Sequence, residues 1–72
     1  MERYRNLGMD SGVYAFEIGN DFIRVKFNGT AKIYTYSYVK AGQMHVEKMK
    51  GLAQSGSGLN SYINRHVKHS FD

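Results

Sequence analysis

Three histidines, six tyrosines and ten lysine or arginine side chains carry most of the chemistry available to this 72-residue chain. His66 and His69 stand three apart, the spacing at which two imidazoles on one helix can share a metal ion. A stable site needs a third and a fourth ligand. The chain has no cysteine, and His45 falls on a separate segment, so no metal and no cofactor are expected. Hydrolytic catalysis lacks its parts. Glu2, Asp10, Glu17, Asp21, Glu47 and Asp72 are scattered, and Ser55, Ser57 and Ser61 have no evident base beside them. The chain is therefore expected not to be an enzyme. Gly56-Ser57-Gly58 precedes a helical pattern, where free N–H groups favour anions. No lysine follows as in a nucleotide-binding loop, so the glycines read as a turn with Ser57 as N-cap.

Tyr34, Tyr36 and Tyr38 alternate along a strand-like run, which raises base stacking as a possible role. The formal net charge of +4 points to nucleic acid or another anionic partner. That charge is uneven: residues 1–38 carry five basic and four acidic side chains, residues 39–72 five and two. What these groups can do depends on which face of which element holds them.

Residues 1–12 show no period, and Gly8 and Gly12 interrupt them, so an irregular N-terminal arm is expected before a single domain over 13–72. Val13–Ile18 and Phe22–Phe27 alternate as strands, joined at Asn20-Asp21. Asn28-Gly29 is a strong hairpin signal because a type I′ turn needs positive φ at both central residues. A third strand over 32–38 follows. Two-residue loops at both turns would set Glu17 against Arg24, Ile18 against Ile23, Phe16 against Val25, Tyr14 against Phe27, Val25 against Lys32 and Ile23 against Tyr34. Tyr14, Phe16, Ile18, Ile23, Val25, Phe27, Tyr34 and Tyr36 then share one face, which assigns Tyr34 and Tyr36 to packing.

From residue 43 the period becomes helical. Val46, Met49, Leu52 and Ala53 define a helix over about 43–54. Leu59, Tyr62, Ile63, His66 and Val67 define a second. The expected fold is α+β: a three-stranded antiparallel β-meander with a C-terminal αα-hairpin packed on its apolar face. The opposite face, with Val13, Ala15, Phe22, Arg24, Lys26, Ile33 and Thr35, is left open.

The run Phe27-Asn28-Gly29, Ile33-Tyr34-Thr35-Tyr36, Leu52-Ala53 and Gly58-Leu59-Asn60-Ser61-Tyr62-Ile63 resembles the KTSC domain, over about residues 11–71. That small domain occurs at the C-terminus of some lysyl-tRNA synthetases and as stand-alone bacterial proteins. Its Tyr-x-Tyr is matched by Tyr34 and Tyr36, and its later Gly, Asn and Ile by Gly58, Asn60 and Ile63, all read as structural positions. Val39-Lys40-Ala41-Gly42 stands where many members have a proline-containing link. The synthetase connection implies a role near tRNA.

Two functions follow as expectations. One is a non-enzymatic module that binds RNA through backbone contacts, using Phe22, Arg24 and Lys26 on the sheet or Lys48, Arg65 and Lys68 on the helices. The other is a protein-interaction module or homodimer that uses the open face or an edge strand, since the last strand has no proline or bulge to protect its edge. Gathering of Arg24, Lys26, Lys48, Lys50, Arg65 and Lys68 on one side would favour the first; scattering, with a contiguous apolar patch, would favour the second. The absence of cysteine, of a long apolar run and of an apolar leader after Met1 agrees with a cytoplasmic protein that is not a membrane partner.

Overall fold

The Asn20-Asp21 turn closes as its spacing requires. Ile18 pairs with Ile23, Glu17 with Arg24 and Phe16 with Val25, and the Gly19 N–H donates to the Phe22 carbonyl at 3.0 Å. In the computed structural model, which describes residues 1–7 and 12–72, this hairpin is the centre of a four-stranded antiparallel sheet in the order β1-β2-β3-β4. The strands are β1 (Glu2–Arg3), β2 (Val13–Ile18), β3 (Phe22–Phe27) and β4 (Ile33–Ser37). Helix α1 (Gln43–Ser55) follows, then α2 (Leu59–Tyr62), which runs on into a π-helical turn at Ile63–Val67.

Four strands replace the expected three. Within the segment expected to be an irregular arm, residues 2 and 3 form a strand: Glu2 pairs with Phe16 and Arg3 with Ala15. A two-residue strand is too short to show a period, which is why pattern reading passes over it. Gly8 and Asp10 lie outside the described residues. Beyond β1, Tyr4 enters the core at 5% exposure. Its phenol oxygen accepts the Leu59 N–H at 3.3 Å, satisfying one of the donors that a helix start leaves unpaired. The Arg5 guanidinium donates to the Gln54 carbonyl, and the Leu7 N–H to the Gly56 carbonyl at 2.6 Å. The segment thus straps the junction between the helices.

Two registers differ from expectation. In β2, Val13 pairs with Phe27 and Ala15 with Lys26, which leaves Tyr14 as the extra residue of a β-bulge. The bulge reverses the alternation N-terminal to it. Val13 therefore belongs to the core, and Tyr14 leaves it at 37% exposure. Between β3 and β4, Val25 pairs with Tyr34 and Ile23 with Tyr36. The connection spans residues 28–32, with Gly29 at φ 80° and the Lys32 N–H bonded to Thr30 Oγ1. The slip is two residues, so every side chain keeps its face, and Lys32 moves into an exposed loop.

Phe16, Ile23, Val25 and Tyr36 on the sheet meet Val46, Met49 and Ala53 of α1, and Leu59, Ile63 and Val67 beyond it. Tyr62 packs against this core while half-buried, whereas His66, expected on the same stripe, is exposed. Ile18, expected in the core, is exposed near the hairpin end. Ser57 does not cap α2. Gly58, in the left-handed region at φ 86°, holds that position, while Gly56 at φ 79° ends α1 with its N–H on the Ala53 and Leu52 carbonyls. Among the described residues, no helix is long and apolar enough to cross a membrane.

Candidate nucleic-acid interface on the open sheet face

Alternation places the side chains of Ala15, Glu17, Phe22, Arg24, Lys26, Ile33 and Thr35 opposite the helical layer. Val13, expected here, is in the core instead. Register then sets them in rows. Arg3, Ala15, Lys26 and Ile33 form one row across all four strands, Glu17, Arg24 and Thr35 a second, and Phe22 and Ser37 a third. Ala15 is buried within its row, while Ile33 is half exposed.

The bulge adds a ring to this face. The Arg3 guanidinium carbon lies 4.4 Å from the centre of the Tyr14 ring, and the Lys26 ammonium 4.6 Å from it. In the third row, the Arg24 guanidinium carbon lies 4.7 Å from the centre of Phe22. Phe22 packs on Gly19 so closely that a β-carbon there would come within 2.1 Å of the ring. Glu17 is the carboxylate of these rows, 3.3 Å from Arg24 in a half-exposed pair. Glu17 offsets one of the three cations, and the Asp72 carboxylate stands at the rim of the third row, 2.7 Å from the Ser37 hydroxyl, so the face carries two rings and a small positive excess. Pairs of this kind hold the cation and ring in a fixed arrangement and contribute about 0.5–1 kcal/mol at exposed sites.

The expected cations do not gather on one side, so the arrangement expected to favour nucleic acid is not met by those six residues. Arg24 and Lys26 are on the open face, whereas Lys48, Arg65 and Lys68 are exposed on the helical layer. Lys50 is committed to structure: its ammonium is 2.7 Å from Glu47 and donates to the Asn20 carbonyl at 3.1 Å. Arg3 takes its place as a third cation beside Arg24 and Lys26. Sequence reasoning missed Arg3 and Tyr14 because one needs a two-residue strand and the other a bulge. The only signal was the Arg3-Tyr4-Arg5 triplet ahead of the first clear strand.

The other tyrosines belong mainly to packing. Tyr36 is 2% exposed, and burial, with a smaller contribution from neighbouring Tyr34, pushes its phenol up to about 12. Tyr34 is half-buried and meets Phe27 edge-on at 5.6 Å. The Tyr38 hydroxyl donates to Glu47, which raises its own pKa. Glu47 is held below the usual carboxylate range by its hydrogen bond from Lys50 and then that from Tyr38.

His45 and His66, not His66 and His69, come together. Their rings stack at 5.5 Å, and His45 Nδ1 is 2.7 Å from the Tyr62 hydroxyl. Among the described residues, no group of three or more His, Cys, Asp or Glu is arranged to hold a metal ion. Of the family-type positions, Gly58 supplies the left-handed turn, Ile63 is buried, and Asn60 is half-buried beside Gly12. Ser55 donates to the Leu52 carbonyl at 2.9 Å. The β4 edge is partly occupied by the chain itself, since the Asp72 N–H donates to the Thr35 carbonyl at 2.7 Å and Ser37 to the Asp72 carboxylate at 2.7 Å.

No family model matches this chain, and no curated protein or solved structure shows significant similarity to it.

Proposed function

We propose that the protein is a non-enzymatic, KTSC-like module that binds single-stranded RNA on its open sheet face, weakly and with little sequence preference. The observation that carries this reading is the Tyr14 ring held within 4.4 Å of Arg3 and 4.6 Å of Lys26, next to the Arg24–Phe22 pair. Cations track a phosphate backbone, and guanidinium planes held over rings accept any base by stacking. Thr35 and Ser37 are the uncharged hydrogen-bonding side chains of these rows, and Ser37 is already bonded to Asp72, so readout of base edges is limited and discrimination among sequences is poor. A cytoplasmic setting, where tRNA is met, is part of the same proposal.

Arg3, Arg24 and Lys26 each have the reach to neutralise one phosphate. For single strands the log–log salt slope steepens by about 0.7 per phosphate, so a slope near −2 is expected. A salt-dependent titration of a short unstructured RNA tests this. A flat salt response with the domain folded removes the reading and leaves a protein-interaction module in its place. That alternative has less support on the β4 side, where residue 72 already takes the edge carbonyl of Thr35, and on a face lined by three cations.

A further inference from the structure

A concavity of about 320 Å³ lies between the β4 side of the sheet and the π-helical turn. Its walls are the rings of Phe27, Tyr34, Tyr36 and Phe71, and its polar groups are Asn64, Lys68 and His69. Phe71 is held by its neighbour Asp72 and by its own ring contacts. Asp72 ties the backbone to Thr35 and the carboxylate to Ser37, and the Phe71 ring meets Tyr34 at 4.9 Å and Tyr36 at 6.4 Å, both edge-on. The ring is nevertheless about one-third exposed, so it forms a wall of the groove and does not fill it.

We propose that this groove takes an unstacked nucleobase with an attached phosphate. The inference is separate from RNA binding on the open sheet face, which lies on the other side of the sheet. Three features of the groove select this chemistry. Its volume is at the low end for small-molecule sites, about 300–1,000 Å³, which suits a single planar ring system with its substituent and excludes a folded partner. Its walls are aromatic, and aromatic rings gain from edge-to-face and offset contacts with a further ring. Its lining contains Lys68 and no carboxylate, so the charge it complements is negative. Asn64 offers both a donor and an acceptor toward a base edge. A free nucleoside monophosphate and a single nucleotide of an RNA strand present the same chemistry.

The test is residue-resolved NMR of the full chain with AMP, UMP, adenosine, inorganic phosphate and a short oligoadenylate. AMP or UMP is expected to shift Tyr34, Asn64, Lys68 and Phe71, with adenosine and phosphate each at least about tenfold weaker, a difference of about 1.4 kcal/mol. Shifts of these residues with the oligomer and not with mononucleotides support the same chemistry, with RNA as its source. Lys68→Glu, a surface change, is expected to abolish the shifts while the fold persists; Phe71→Ala is expected to weaken them. Phosphate binding as well as AMP, or no shift in the groove with any of the five, overturns the proposal. Arg24→Glu with Lys26→Glu separates the two sites, because it removes oligomer binding on the sheet and leaves the groove response intact.

Discussion

The Lys26 ammonium lies 4.6 Å from the centre of the Tyr14 ring, although the two residues are not paired across the strands. Lys26 pairs with Ala15, and Tyr14 is the residue the bulge leaves over. A regular ladder would bury this tyrosine opposite Phe27. The bulge instead turns it out to the one sheet face that no helix covers, between Arg3 and Lys26.

Tyr14→Ala is therefore expected to act on binding and hardly on stability. Loss of a stacking ring costs about 1–3 kcal/mol per base, or roughly a fivefold to hundredfold rise in Kd for single-stranded RNA. Thermal denaturation should show a small change, because the ring is over one-third exposed. A large fall in Tm with unchanged RNA affinity would make Tyr14 a packing residue.

Gly19→Ala tests the placement of Phe22. A β-carbon at Gly19 would lie 2.1 Å from that ring, so the ring must move, and with it the Arg24 contact. RNA affinity is expected to fall while the core, which excludes both residues, stays intact by tyrosine and backbone circular dichroism.

Tyr4→Phe isolates the hydrogen bond between the N-terminal segment and α2. It keeps the ring and removes the acceptor for the buried Leu59 N–H. A buried donor left without a partner costs about 1–3 kcal/mol, a large share of the stability of a domain this small. Urea denaturation should show a lower midpoint with an unchanged slope.

Alkaline titration tests the burial of Tyr36. Its phenol is pushed from the model-compound value of 10.0 up to about 12 in the folded chain. The raised value means that this contribution to stability is complete below pH 10 and is lost as pH rises from 10 through 12, at most about 3 kcal/mol. Phenolate absorbance, compared with a Tyr36→Phe variant, should assign to Tyr36 an ionisation that waits until about pH 12 or until the fold gives way. Ionisation of Tyr36 near pH 10, with the fold intact, would contradict the burial. Tyr36→Ala should cost about 3–5 kcal/mol, and Tyr34→Ala less, because Tyr34 is only half-buried.

The parts of the fold that follow from period and turn chemistry are legible in the residues. The Glu17–Arg24 register needs only a two-residue turn, and the Val46, Met49 and Ala53 stripe only a helical repeat. The error at Asn28-Gly29 did no harm to face assignment, because a two-residue slip preserves parity. Features set by tertiary context were not legible. A bulge at Tyr14, a two-residue strand at Glu2–Arg3 and a cap supplied to Leu59 by Tyr4 leave no periodic trace. For the open face, Phe22, Arg24 and Lys26 were readable from alternation, whereas Arg3 and Tyr14 required the register.

Charge reversal compared between the two layers tests the RNA interface most directly. One variant carries Arg24→Glu and Lys26→Glu on the sheet; the other carries Lys48→Glu and Arg65→Glu on the helices. Both change the net charge by the same amount, so a difference between them reports position and not overall charge. With a short single-stranded RNA at low salt, the sheet variant is expected to lose at least about tenfold in affinity, equivalent to about 1.4 kcal/mol, and the helix variant much less. Equal losses, or a larger loss from the helix variant, with both proteins folded, would contradict binding on the open sheet face.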